Sequence, residues 1–388
     1  MKISKNFCGG NIEVISIGES EVVVEREIRD SKGDWFYWAF YVEDACPPGK
    51  EQHTVTFTFP QKRRVGKFGA AVSHDLIHWN WTHSKVENGF SYTFHPGEKV
   101  YFSFCCIYSD QMLRNFLREH EIEAETLCIS RKERSVPYFR IGTGEKLILF
   151  TSRHHACEST GTFLLQGIAE ECLKNPSDEF SFFFVPFVDY DGVIDGDPGK
   201  NRQPHDHNRD YGTEPPIYPE VQALRNLADT GRVYAAFDLH SPGFEGKEHD
   251  EFYFLKCADT EPLTRFYNRL KQLTQEDPKS LQYNGNWDFT FKGSVWNDTI
   301  SPCMRNYFLP RVQSGICMTA ETTYTGRENN PFTPERAIRL GNLFFQSSML
   351  GDFEISQNKK PKVQEADRFG LLFFYKKRNF FETVLIFP

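Results

Sequence analysis

The sequence predicts a mixed α/β fold with a largely parallel sheet flanked by helices, preceded by an all-β sandwich. Strands and helices alternate between residues 145 and 350, whereas short strands follow one another without a helix before residue 105. A helical segment, SDQMLRNFLREH, separates the two patterns. Residues 1–122 are therefore read as the sandwich, and residues 123–388 as an α/β domain with a C-terminal extension.

In the first part, β-branched or aromatic runs at 12–17, 21–24, 35–42, 54–59, 67–72, 92–94 and 100–107 are separated by turn-forming clusters such as SKGD, ACPPGKE, VENG and HPGE. Its core is expected to use Trp35, Phe36, Trp38, Phe40, Phe57 and Phe59. Asp110 is placed to cap the following helix, where Met112, Leu113, Phe116 and Leu117 recur at helical spacing.

Beyond it, KLILFTS reads as a strand, 159–175 as a helix, 179–188 as a strand and 219–231 as a helix closed by Gly231. VYAAFDLH (233–240) and 316–323 are further strands, 262–276 is a helix, and 334–350 is a helix with Pro334 in its first turn. The run FSFFF at 180–184 suits a strand buried on both faces. Sheets of this kind gather ligands beyond the carboxyl ends of their strands. The residues after about 356 read as a C-terminal element packing on the main domain, with a hinge at 358–362.

Composition excludes several classes. A formal charge of -8 and a pI near 5.9 argue against nucleic acid as a partner, so an anionic substrate must be met by a few placed arginines. The 10 cysteines lack C-x-x-C spacing and read as buried free thiols. The N-terminus has no apolar signal-like run, and no stretch approaches the ~18 apolar residues of a membrane span. These features predict a soluble, cytoplasmic protein with no membrane partner.

Chemistry-bearing residues fall at strand ends. His155 and Glu158 follow KLILFTS, and His240 ends VYAAFDLH. Two His and one carboxylate leave the fourth position of tetrahedral zinc open to water, as hydrolysis of an amide requires. H-x-x-E alone is a weak signal that arises by chance in many proteins, and His154 could stand in for His155. A glycine-rich loop then presents Lys200, Arg202, Asn208 and Arg209, suited to gripping a carboxylate, with His205 and His207 as further possible ligands. Glu321, after the apolar residues of ICMTAETT, could serve as general acid and base. Taken alone, Glu321 reads first as a salt-bridge or surface glutamate, and the loop's charges as a solvated segment balanced by Asp195, Asp197, Asp206 and Asp210.

In this order HHACE, GKNRQPHDHNRD, FDLHS and TAETTYTG resemble the zinc carboxypeptidases of the carboxypeptidase A type, over roughly residues 10 to 350. WFYWAFYVED and YSDQMLRNFLREHE resemble the cytosolic carboxypeptidase branch, in which a β-sandwich precedes the catalytic domain. The resemblance implies one zinc per chain on His155, Glu158 and His240, with Glu321 as general base. It implies a clamp at Asn208 and Arg209 for the C-terminal carboxylate of a peptide or protein substrate. It also implies an oxyanion-stabilising arginine upstream, for which Arg202 is the choice and Lys200 or a neighbour the alternative. Tyr307, with Tyr283 behind it, is the candidate for the family's mobile tyrosine, and Arg305 for a side-chain pocket favouring an acidic residue. Two departures stand out: Asp189-Tyr190-Asp191-Gly192 replaces the usual Asn-Pro-Asp-Gly, and Cys157 replaces an arginine. An amidohydrolase acting on a cell-wall stem peptide or another carboxylate-bearing amide remains an alternative, as does a catalytically silent binding protein.

Overall fold

The computed structural model describes residues 1–256, 260–289 and 301–349; Cys257 and the C-terminal element after residue 356, with its hinge, lie outside them. Two β-sheets make up the N-terminal part. The larger has the order Lys2–Ser4, Ala39–Glu43, Lys99–Ser103, Ala71–Ser73, Asn80–Trp81, and the smaller Glu13–Ile17, Glu21–Glu25, His53–Thr58, Gly89–Phe94. Period-2 alternation explains which side chains meet between them. Val55 and Phe57 point inward from one strand while Thr54 is exposed, and they join Val22, Val24, Trp38, Phe40, Phe90 and Phe102 in one buried cluster. Trp35 departs from expectation, because it is only partly buried at the margin of this core.

The intervening helix is Asp110–Glu119, and its cap is Ser109 rather than Asp110. The Ser109 hydroxyl accepts the Met112 N–H at 3.3 Å, so Asp110 lies inside the first turn, where its carboxylate accepts the Tyr190 hydroxyl at 2.9 Å.

The second part is built on a seven-stranded mixed sheet, ordered Glu125–Ile129, Ser135–Ile141, Phe180–Val185, Lys146–Ser152, Val233–His240, Ile316–Glu321, Tyr253–Leu255. The four strands Phe180–Val185, Lys146–Ser152, Val233–His240 and Ile316–Glu321 are parallel, and antiparallel strands flank them on both sides. Register accounts for part of the high phenylalanine content. Phe139, Phe184, Phe150 and Phe237 stack from strand to strand with centroids 4.8, 5.2 and 5.1 Å apart and nearly parallel rings. Burying one such phenylalanine stabilises the fold by roughly 1.5–3 kcal/mol relative to leaving it exposed, and cross-strand pairing adds to register specificity.

Two helices, Thr160–Lys174 and Pro334–Met349, pack across one another through Gly167 and Gly341. A Cβ on Gly341 would lie 2.2 Å from the Leu164 carbonyl oxygen, so this approach requires glycine. The sandwich is joined to the α/β part by aromatic contacts and buried polar bonds. Phe36 meets Tyr324 at 5.6 Å between centroids, Phe104 meets Phe244 at 5.5 Å, and the Trp81 indole donates to the Phe332 carbonyl at 2.9 Å. Both parts fall within a single compact unit.

Candidate active site

The parallel strands end together, and the residues that follow them converge. The turn after Lys146–Ser152 is pinned by Arg153, whose backbone is left-handed (φ 63°) and whose buried guanidinium folds back on its own loop. It donates to the Ala156 carbonyl at 2.5 Å, the Tyr108 carbonyl at 3.2 Å and the Ser159 hydroxyl at 3.1 Å. This fixes His155 and Glu158 before the helix at Thr160 begins. On the neighbouring strands His240 and Glu321 are register partners, which puts both side chains on the same face.

His155, Glu158 and His240 are buried, each offering one ligand atom, and those atoms lie within 4.8 Å of one another. His155 Nδ1 is 2.9 Å from Glu158 Oε1, and His240 Nδ1 is 2.5 Å from Glu158 Oε2. The opposite ring nitrogens face other carboxylates: His240 Nε2 is 2.7 Å from Asp238 and His155 Nε2 is 3.5 Å from Asp206. A metal-binding histidine characteristically presents one nitrogen to the ion while a carboxylate holds the other. A second group of potential ligands, His154, Asp238 and His240, shares His240. Both ring nitrogens of His154 are engaged, Nδ1 with Asp238 at 2.7 Å and Nε2 with the Tyr211 hydroxyl at 2.8 Å.

Electrostatics follow from burial among opposite charges. Burial opposes ionisation of Glu158, but His155, Lys200 and His240 outweigh it and hold the carboxyl well below its usual value. Burial likewise opposes the charged form of His240, yet Asp238 and Glu158 hold it well above the histidine range. Burial pushes Glu321 up to about 7, and its buried Oε2 has no hydrogen-bond partner among the described residues. A carboxylate oxygen left unpaired beside two inward-facing imidazoles suits a site that holds a cation and a water.

A cavity of about 280 Å³ opens over this cluster, and Lys200, Asn208, Arg209, Arg305 and Trp35 also line it. Asn208 lies 3.3 Å from His240 Nε2, and its side-chain oxygen accepts the Met304 N–H at 3.0 Å. Arg209 is exposed and Arg305 buried.

Other expected residues are placed elsewhere. The Arg202 guanidinium is engaged by Asp189 at 2.6 Å, Asp197 at 3.1 Å and Asp30, so it ties the loop to the sandwich instead of reaching the cluster. Tyr307 packs against Arg311 and directs its hydroxyl to Asp229 at 3.2 Å, and Tyr283 bonds Asp288 at 2.6 Å. His205 pairs with Asp210 at 2.7 Å, while His207 stacks on Tyr218. Sequence reasoning missed Asp238, Asp206 and Arg153. Asp238 alone carried a readable signal: in a strand the residue two before His240 shares its face.

The described architecture is the metallo-carboxypeptidase fold. A metallo-carboxypeptidase from Burkholderia cenocepacia superposes with a TM-score of 0.70 at 17% identity, covering 89% of this chain and 97% of that one. One from Pseudomonas aeruginosa, in complex with (2-guanidinoethylmercapto)succinic acid, gives 0.69 at 18% identity over 89% and 98%. In sequence the chain is similar to cytosolic carboxypeptidases. It is 25% identical to cytosolic carboxypeptidase 2 of Xenopus tropicalis over 64% of this chain and 28% of that protein. It is 22% identical to cytosolic carboxypeptidase 6 of Caenorhabditis elegans over 56% of this chain and 55% of that protein. The matched region thus spans little more than half of these relatives at most. No protein-family model matches the chain.

Proposed function

We propose that this chain is a zinc metallocarboxypeptidase, a hydrolase that removes the C-terminal residue of a peptide or protein. The observation that carries the reading is the convergence of His155, Glu158 and His240 beside the unpaired carboxylate of Glu321, under a cavity edged by Asn208 and Arg209. His155, Glu158 and His240 would hold one zinc ion, which when bound polarises a carbonyl and lowers the pKa of water towards ~7.

The chain's own groups supply the rest. Arg209 and Asn208 hold the terminal carboxylate, the guanidinium offering paired N–H donors, and so align the last peptide bond with the cluster. Glu321 accepts a proton from the attacking water and delivers it to the departing nitrogen. Asp238 and Asp206 keep the imidazoles oriented. Arg305, buried in the wall, would favour an acidic side chain at the substrate's last position. The proposed division of the chain at residues 122 and 123 makes the sandwich a separate module packed against this site. A cytoplasmic location fits the names of the cytosolic relatives, and no described helix is long and apolar enough to cross a membrane.

The test joins metal analysis to amino-acid release from peptides differing only in their last residue. Purified protein should contain one zinc per chain and lose activity to chelators. Glu321→Gln should keep the zinc and lose on the order of 10²–10⁴ in kcat, the usual worth of a general base. Full activity in that variant would remove Glu321 from the mechanism.

A further inference from the structure

Strand register places one more polar side chain beside the proposed general base. Glu321 pairs with His240 on one neighbouring strand and with Tyr253 on the other, so the three side chains stand in a row on one face of the sheet. In the next row on that face Leu255 pairs with Thr319, and both line the cavity, which identifies this face as the one turned to the site. Phe254, between Tyr253 and Leu255, turns the other way and packs against Phe266, Tyr267 and Phe344.

Tyr253 is fully buried, and its ring meets Phe289 edge-on with centroids 5.5 Å apart. Its hydroxyl nevertheless has no hydrogen-bond partner among the described residues, and the same holds for Glu321 Oε2. A buried polar oxygen without a partner is costly, and a phenylalanine would fill the same space without that cost. Two such oxygens on directly paired residues, neither bonded to the other, suit a buried water, which can accept from one and donate to the other.

We infer that Tyr253 and Glu321 hold one bound water between them, and that Tyr253 is thereby a positioning residue for the general base. The inference rests on the peptidase reading above for what that base does. The Tyr253 O–H donates to the water, and the water donates to Glu321 Oε2. With Oε2 fixed at the sheet, the other carboxylate oxygen is held towards the cavity, where the attacking water gives up its proton. Burial, reinforced by the carboxylates of Glu321, Glu248 and Glu158, holds the Tyr253 phenol above the usual tyrosine range, so it remains a donor. Tyr253 itself touches neither substrate nor metal in this arrangement and exchanges no proton in the reaction.

The experiment has two arms. The first is a high-resolution crystal structure of the zinc-loaded wild type, which should show one ordered water within hydrogen-bond distance of both Tyr253 Oη and Glu321 Oε2. This arm needs no variant to fold. The second is a double-mutant cycle on release of the C-terminal residue from a peptide. Tyr253→Phe, which removes a single oxygen atom, should keep full zinc and an unchanged KM and lower kcat by about tenfold, the worth of one hydrogen bond to a charged group. In the Glu321→Gln background the same substitution should change the residual kcat by less than about twofold, because the group it positions is gone. A role in packing alone would lower both backgrounds equally, and that result would overturn the assignment. So would wild-type density without a water joining the two oxygens, or a Tyr253→Phe enzyme with wild-type kcat. If wild type releases no C-terminal residue from any peptide, the peptidase reading fails and takes this inference with it; if wild type is active and the two backgrounds respond alike, only Tyr253 is misassigned.

Discussion

Asp238→Asn removes one charge and no atoms of consequence to packing, yet it should loosen the proposed zinc site by about 10–100-fold. In the structure Asp238 Oδ1 takes the Thr151 hydroxyl at 2.8 Å and faces His154 Nδ1 at 2.7 Å, while Oδ2 faces His240 Nε2 at 2.7 Å. An asparagine must turn its NH₂ towards one of these sides. If it faces His240, Nε2 becomes the acceptor and the ring proton moves to Nδ1, the nitrogen that points at Glu158 and would carry the metal. If it faces His154, two N–H donors confront each other unless that ring shifts its proton to Nε2, and the Thr151 hydroxyl is left with only the longer contact to the Phe237 carbonyl at 3.4 Å. The second arrangement keeps His240 usable but replaces a charged acceptor with a neutral one. That exchange alone is worth about 1–1.5 kcal/mol, or roughly tenfold in affinity, and the first arrangement sets the upper end. The assay is a competition titration of the apoprotein against a chromogenic zinc chelator, with urea unfolding of the apoprotein as a check on folding. An Asp238→Asn protein that folds and binds zinc within threefold of wild type would refute the argument that Asp238 sets the orientation and tautomer of His240.

Two further outcomes follow from the seam between the sandwich and the α/β part. Burial alone would raise the Asp189 carboxyl, but His207 and Arg202 overcome it and hold the group below its ordinary 3.8. A depressed folded pKa stabilises above the unfolded value and is lost as pH falls through the folded one, so wild type should lose stability from about pH 3.8 downward. Asp189→Asn should be less stable at pH 7 and fall less steeply below pH 4, read from urea midpoints across that range; parallel curves for the two proteins would contradict the assignment. Trp35 donates its indole N–H to Cys157 Sγ at 3.1 Å, between the two proposed ligands of the turn. Trp35→Phe keeps a ring over Lys200 but removes that donor, and should lower kcat/KM roughly two- to tenfold, the equivalent of one hydrogen bond. Unchanged kinetics in both Trp35→Phe and Trp35→Ala would show that the sandwich plays no part in shaping the cleft.

The fold was legible because burial writes itself into sequence as period. The runs KLILFTS, FSFFF and VYAAFDLH are central parallel strands with nearly every residue buried, and the helix patterns fall within a few residues of Thr160–Lys174, Pro219–Asp229 and Glu261–Glu276. The flanking antiparallel strands were not legible: Glu125–Ile129 is half exposed, and Tyr253–Leu255 has only three residues. At the site, the positions of His155, Glu158, His240 and Glu321 were legible because each ends or closely follows such a strand. Arg202 could not, because what decides its role is Asp30, 172 positions away in the sandwich. Tyr307 is drawn off by the same kind of long-range partner, Asp229. Spacing along a chain says which side chains can reach a place, while competing partners from distant segments decide which ones do.

The pairing of His240 with Glu321 across adjacent strands has a consequence for when activity can begin. Glu321 enters the site only after Ile316–Glu321 has added to the growing sheet in its correct register, and a slip of one residue would send it to the opposite face. Under the proposed mechanism, a chain whose last parallel strand has come loose would lack its proton acceptor, and hydrolysis would be tied to completion of the sheet.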